Sequence, residues 1–249
     1  MVAAMVIDGH VHVKGGDVFR RELDPDRTLA RMDEAGVDRS CVFSVCLPSY
    51  DSNELTRRAV AGRDRLIPYA HVVPEEGLIA QRELERAVEQ HGFRGLKLHA
   101  GELRGEASLA LFRPVLEQCA DYRLPVLFDC VNRPDLAEDC VTAVPGASFV
   151  MAHLGSSHDQ FMVDRFIEMA LRHDNVWLDT SYSNCPWKIG DALRSLGPNK
   201  LIFGSDGGGD YYPPMIELAK VKAYVRESPA LDRVLGGNLS ELLDTVRPR

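Results

Sequence analysis

Short apolar or β-branched runs alternate with longer amphipathic stretches along the whole chain. A compact apolar run bounded by turn-formers reads as a buried strand, and an apolar stripe at three- and four-residue spacing reads as a helix packed upon it. This pattern predicts strands at 5–12, 40–45, 66–71, 95–99, 125–129, 148–153, 176–179 and 201–206. Helices are predicted near 26–35, 53–61, 79–90, 108–122, 133–143, 159–172, 188–196 and 215–227. Regular alternation of the two implies the α/β class and a parallel sheet with helical crossovers. Eight such pairs predict a (β/α)8 TIM barrel, one domain over residues 1–249, with 238–245 as an extra C-terminal helix.

Turn chemistry fits these boundaries. Gly36, Gly62 and Gly92 each follow a helical run, Pro125 stands where a strand begins, and Ser52, Ser108 and Asp159 stand where helix caps are wanted. No Gly/Ser linker, Pro-rich tract or charge block divides the chain. The segment 13–25 is short, so no large lid is expected after the first strand.

At 249 residues the chain buries enough apolar surface to fold without disulfides or a structural metal, so a metal, if bound, has a chemical task. With 29 basic and 37 acidic residues the net charge is -8, which argues against nucleic acid or an anionic membrane and for a small-molecule substrate. The first residues lack the basic flank and long apolar core of a signal peptide, and no run is long enough to span a bilayer. The six cysteines are scattered without a Cys-x-x-Cys pair, as expected of reduced thiols and a cytoplasmic location. A homodimer is left open, since no surface of the sequence identifies one.

The candidate chemistry begins with His10 and His12. Side chains two apart on a strand share a face, so the two imidazoles form half of a metal clamp that a carboxylate from another strand can complete. In such barrels the active site lies at the C-terminal ends of the strands, and the predicted strands end in Lys97 and His99, Asp129, His153, Asp179 and Asp206.

Taken together, IDGHVHV, GFRGLKLHA, PVLFDC, FVMAHLGSS, NVWLDTSY, LIFGSDGG and VLGGNLSELL resemble the amidohydrolase superfamily, and within it the second amidohydrolase family of small barrel hydrolases and non-oxidative decarboxylases. The resemblance covers nearly the whole chain. It implies that His10, His12, His153 and Asp206 hold one divalent ion, with zinc the first choice and manganese or another divalent ion as alternatives. It also implies that Asp206 acts as general base on the attacking water, and that His153 ligates or steadies the substrate oxygen. Lys97 and His99 fall where the family lines its pocket, which makes them candidates for holding a substrate anion, or makes Lys97 a carboxylated bridge between two metals. One departure stands out: Asp129 occupies the end of strand five, where the family usually has histidine. If Asp129 ligates, the site has two carboxylates and favours harder metals.

The leading functional expectation is a metal-dependent hydrolase that activates water for attack on an amide, lactone or ester of a small carboxylated substrate. A non-oxidative decarboxylase of an aromatic or unsaturated acid is the second, and a barrel that has lost its metal and only binds a ligand is the third. Plainer roles compete at single positions. Lys97 could pair with Asp129 or Asp179, and Asp8 could orient the histidines rather than bind metal. His158, in the loop after strand six, is a further substrate-binding candidate, whereas His91 and His173 fit helix ends. The run Gly204 to Gly209 lacks the Lys-Ser/Thr of a phosphate loop, and no Gly-x-Ser-x-Gly elbow is present.

Overall fold

In the computed structural model, residues 5–13, 24–208 and 213–248 are described. Most of the expected short segment 13–25, and Gly209, lie outside them. Eight parallel strands run in the order β1-β2-β3-β4-β5-β6-β7-β8: β1 (Ile7–His12), β2 (Arg39–Phe43), β3 (Leu66–His71), β4 (Gly95–His99), β5 (Pro125–Asp129), β6 (Ser148–Met151), β7 (Val176–Asp179) and β8 (Leu201–Ile202). Between them lie α1 (Pro25–Ala35), α2 (Ser49–Val60), α3 (Leu78–His91), α4 (Leu109–Tyr122), α5 (Pro134–Ala143), α6 (Gln160–Arg172), α7 (Trp187–Leu196) and α8 (Pro214–Tyr224). The architecture is a (β/α)8 barrel.

The last and first strands meet through a short seam. Gly9 N donates to Phe203 O at 2.9 Å and His12 N to Gly207 O at 2.7 Å, with a parallel bridge between Val11 and Gly207. Gly208 has φ +107°, and a Cβ there would fall 1.7 Å from His12 O, so only glycine lets the two backbones approach.

The pleat sorts the strand residues into two cores. Cys41 and Phe43 of β2, Ile67 and Tyr69 of β3, Leu127 of β5 and Val150 of β6 pack together inside the barrel. Their alternates, including Val42, Leu66, Val126 and Phe149, pack in the layer shared with the helices. Helices present matching stripes, as in α6, which buries Val163, Phe166, Ile167 and Ala170. Two residues beyond the interior apolar layer, the same alternation turns His71, Lys97, Asp129 and Asp179 inward, at the C-terminal ends of their strands.

The floor of the barrel is apolar. After α9 (Ser228–Asp232) and a wide helical turn at Arg233–Gly237, α10 (Asn238–Asp244) brings Leu239, Leu242 and Leu243 into the interior core against Ile7 and Ile202. This is the C-terminal helix expected at 238–245; α9 and the turn before α10 were not predicted.

Several boundaries differ from the sequence reading. β6 ends at Met151 rather than 153, because His153 and Leu154 adopt left-handed conformations with φ 60° and 54°. β8 ends at Ile202 rather than 206, and Asp206 is likewise left-handed at φ 59°. α2 starts at Ser49, so Ser52 lies inside the helix and is not its cap; its hydroxyl donates to Leu47 O. Asp159 does cap α6, accepting from Phe161 N and Met162 N, while Ser108 stands at the N-cap of α4 without a side-chain bond. α8 ends at Tyr224, short of the predicted 227. Among the described residues no helix is long and apolar enough to cross a membrane.

Candidate metal centre and active site

His10 stands at the centre of the polar layer, fully buried, with a contact on each ring nitrogen. Nδ1 is 2.7 Å from Asp179 Oδ2 on β7, so the carboxylate accepts the Nδ1 proton and Nε2 keeps its lone pair for the pocket. Nε2 lies 3.1 Å from Asp206 Oδ1, and His12 Nε2 lies 3.2 Å from the same oxygen. These three atoms all lie within 4.8 Å of one another. Ligands at about 2.0–2.2 Å from a zinc ion stand a little over 3 Å apart, so the His10, His12 and Asp206 donors fit one divalent ion between them.

A second group of donor atoms comprises His10, His153 and Asp179. Ser181 fills it. Its hydroxyl donates to Asp179 Oδ2 at 2.5 Å and accepts from His153 Nδ1 at 2.9 Å, and its N–H donates to Asp179 Oδ1 at 2.8 Å. Protons already bridge these atoms, which makes the group a hydrogen-bonded brace rather than a cation seat.

His153 and Asp129 form the opposite wall. His153 Nε2 lies 3.4 Å from Asp129 Oδ2, and His99 Nε2 lies 3.2 Å from that oxygen. Burial disfavours the charged imidazolium, yet Asp129 and Asp206 outweigh it and raise His153 to about 9. Burial would likewise raise Asp129, but His153, Lys97 and His99 hold it far below the ordinary carboxylate range. Burial pushes His99 down. Asp206, despite its burial, is held well below the usual range by His10, His12 and His153, so it is ionised at neutral pH.

The structure thus brings His10, His12 and Asp206 to one point and places Asp129 elsewhere, on His99 and His153. Lys97 Nζ does not pair with Asp129 or Asp179; it donates to His10 Nε2 at 3.1 Å and lies 5.2 Å from the centre of the Phe43 ring. A cavity of about 360 Å³ opens over the group, lined by His12, Lys97, His99, Asp129, His153 and Tyr182 among others. His158 stands behind its rim, bonded to Ser157 Oγ and 3.4 Å from Tyr182 Oη.

Two contributors to the site carry no role in the sequence reading: Asp179 and Ser181. Asp179 was visible as a polar strand end, but its role depends on which imidazole it meets. Ser181 gave no signal. Asp8 accepts from His10 N at 3.2 Å, Ser205 N at 2.9 Å and Ser205 Oγ at 2.5 Å, tying β1 to the segment after β8, and burial raises its carboxyl to about 7. Positive φ angles gather at this end of the barrel: among the described non-glycine residues, all but Arg123 occur after strand C-termini, at Cys46, Val131, Asn132, His153, Leu154, Tyr182 and Asp206. Such strained backbone concentrates at functional sites.

The sequence profile of the amidohydrolase family matches residues 7–238. The chain belongs to that family. No curated protein matches it. Similar solved structures include a 2,6-dihydroxybenzoate decarboxylase from Rhizobium, with TM-score 0.74, 16% identity and coverage of 98% of this chain and 99% of that one. A zinc-bound amidohydrolase from Burkholderia multivorans superposes with TM-score 0.77 at 15% identity, covering 97% and 99%. A probable 2-pyrone-4,6-dicarboxylic acid hydrolase from Acinetobacter baumannii gives TM-score 0.66 at 16% identity, covering 96% and 99%. Amidohydrolases bind divalent metal, in keeping with the His10, His12 and Asp206 donor set. At these identities the likeness fixes the barrel and leaves the reaction to the site.

Proposed function

We propose that this amidohydrolase is a metal-dependent hydrolase that directs water onto an amide, lactone or ester carbon of a small carboxylated substrate. The observation that carries the reading is the convergence of His10 Nε2, His12 Nε2 and an ionised Asp206 on one point of the cavity wall. A divalent ion held there, zinc in the first instance, supplies Lewis acidity toward the carbonyl and the water. Asp206 takes the proton from the attacking water and returns it to the leaving group, work for which a carboxylate free of its proton is suited. The His153 imidazolium, whose two N–H groups face Asp129 and Ser181, sets a positive charge across the cavity from the developing oxyanion. Lys97 and His99 supply positive or polar contacts for a substrate carboxylate, and the cavity size suits a compact acid.

A decarboxylase would need Asp206 to arrive protonated so that it could give a proton to carbon, the state its surroundings disfavour. The deciding experiment incubates purified protein with a panel of carboxylated lactones, esters and amides, before and after chelation and metal return. The expected result is ring opening or amine or alcohol release that disappears with chelation, returns with Zn²⁺ or Mn²⁺, and yields no gas. Carbon dioxide release from aromatic acids, or hydrolysis indifferent to chelation, would overturn the reading.

A further inference from the structure

Lys97 is a buried ammonium, 1% exposed, and no carboxylate among the described residues is within ion-pair reach of it. Its hydrogen-bond acceptor is His10 Nε2 at 3.1 Å, and its Nζ lies 5.2 Å from the centre of the Phe43 ring. Asp206 Oδ1 approaches the same nitrogen to 3.1 Å, and the carboxylate is hydrogen-bonded to His12. An sp² ring nitrogen has one lone pair. It can accept from an ammonium or ligate a cation, and it cannot do both.

We propose that the Lys97 ammonium and a divalent cation compete for the Nε2 lone pair of His10, so that metal binding expels Lys97 toward the cavity and Lys97 sets how weakly the metal is held. This rests on the metal-dependent reading above, and it adds a second consequence. The expelled ammonium moves to the wall formed by His99 and Asp129, where an incoming substrate carboxylate meets it. Metal and substrate anion then favour one another, because each stabilises the arrangement in which Lys97 has left His10. The Asp179 contact on Nδ1 keeps the lone pair on Nε2 in both arrangements, so the exchange needs a turn of the lysine side chain and no movement of the imidazole.

The alternative roles of this lysine make opposite predictions. A carboxylated Lys97 that ligates metal would lower affinity when replaced, and a lysine that only fills space would leave affinity unchanged. The test is competition of wild type, Lys97→Met and Lys97→Gln against a chromophoric chelator with Zn²⁺ as the probe, together with the ¹⁵Nζ resonance of Lys97 in the wild type as Zn²⁺ is added. Competition predicts Zn²⁺ affinity at least about tenfold tighter in both variants, the equivalent of one charge-assisted hydrogen bond no longer given up, and a displaced Lys97 resonance in the wild type. Lys97→Gln keeps the test open if the methionine variant fails to fold. Unchanged or weaker affinity in the folded variants overturns the proposal while the metal reading stands, and tighter affinity with an unmoved resonance overturns displacement in favour of charge repulsion alone. Absence of Zn²⁺ binding by wild type and variants alike overturns the metal reading itself, and this proposal with it.

Discussion

The main chain at Gly204 touches the carboxylate of Asp179: a Cβ built on Gly204 would lie 2.2 Å from Asp179 Oδ1 and 3.0 Å from His10 Cβ. The bare α-carbon is therefore what allows Asp179 to reach His10 Nδ1. Gly204→Ala is expected to push Asp179 off the imidazole, lowering metal affinity by about 10–100-fold, the usual effect of losing the partner that orients a histidine ligand. The same substitution overpacks a closed layer and costs about 1–3 kcal/mol of stability. Chelator competition and thermal unfolding measure the two effects; an alanine variant with wild-type metal affinity would show that the Asp179 contact does not orient the ligand.

Asp206 is the residue on which both metal and proton transfer depend. Asp206→Asn keeps the shape but removes the charge and the basic oxygen, and kcat is expected to fall by about 10²–10⁴-fold, the range for loss of a general base. Restoring saturation with excess metal should not recover the rate. Full recovery at high metal concentration would assign Asp206 to ligation alone.

The Asp129 carboxylate raises His153 to about 9, so activity that needs the imidazolium should fade above that pH in the wild type. In Asp129→Asn the carboxylate no longer favours the charged ring, and the basic limb of the pH–rate profile should move down by roughly one pH unit or more. Activity at pH 8 is then expected to drop relative to activity at pH 6. A basic limb that stays in place would separate His153 from the rate.

Asp8 offers a stability test away from the cavity. Its carboxyl is raised to about 7 by burial, against an ordinary value near 3.8 in the unfolded chain, so the folded state loses stability as pH rises from the lower value through the higher one. The Ser205 hydroxyl opposes that rise by donating to the carboxylate. Ser205→Ala should raise the Asp8 carboxyl further, so the variant's deficit in unfolding free energy should be larger at pH 8 than at pH 5. It also carries a pH-independent cost of about 1–3 kcal/mol, since Gly207 N loses the Ser205 oxygen that accepts from it. Denaturant melts at the two pH values provide the comparison, and an equal deficit at both would mean that Ser205 does not act on the ionisation of Asp8.

The barrel and most of its helices were legible because burial on two faces and on one stripe leaves different spacings in a sequence. β3, β4, β5 and β7 agree residue for residue with the predicted spans. The pattern failed where the chain leaves the ladder while staying apolar. Phe203 and Leu154 are as buried as any strand residue, so hydrophobicity alone carried β8 and β6 past the points where backbone pairing stops. His10, His12 and Asp206 were recognisable as donors through local spacing and family motifs. Ser181 was hidden because its importance is entirely relational: a serine two residues beyond a strand acquires meaning only when two imidazoles from other strands close around it.

The apolar floor carries a consequence for how the molecule is made. Leu239, Leu242 and Leu243 enter the interior core after every strand has been laid down in sequence, so during synthesis the eight-stranded wall emerges with its base still open to water. Completion of the interior thus waits for α10, and a nascent chain arrested before it would expose Ile7, Ile67 and Ile202 to whatever apolar surface it met first.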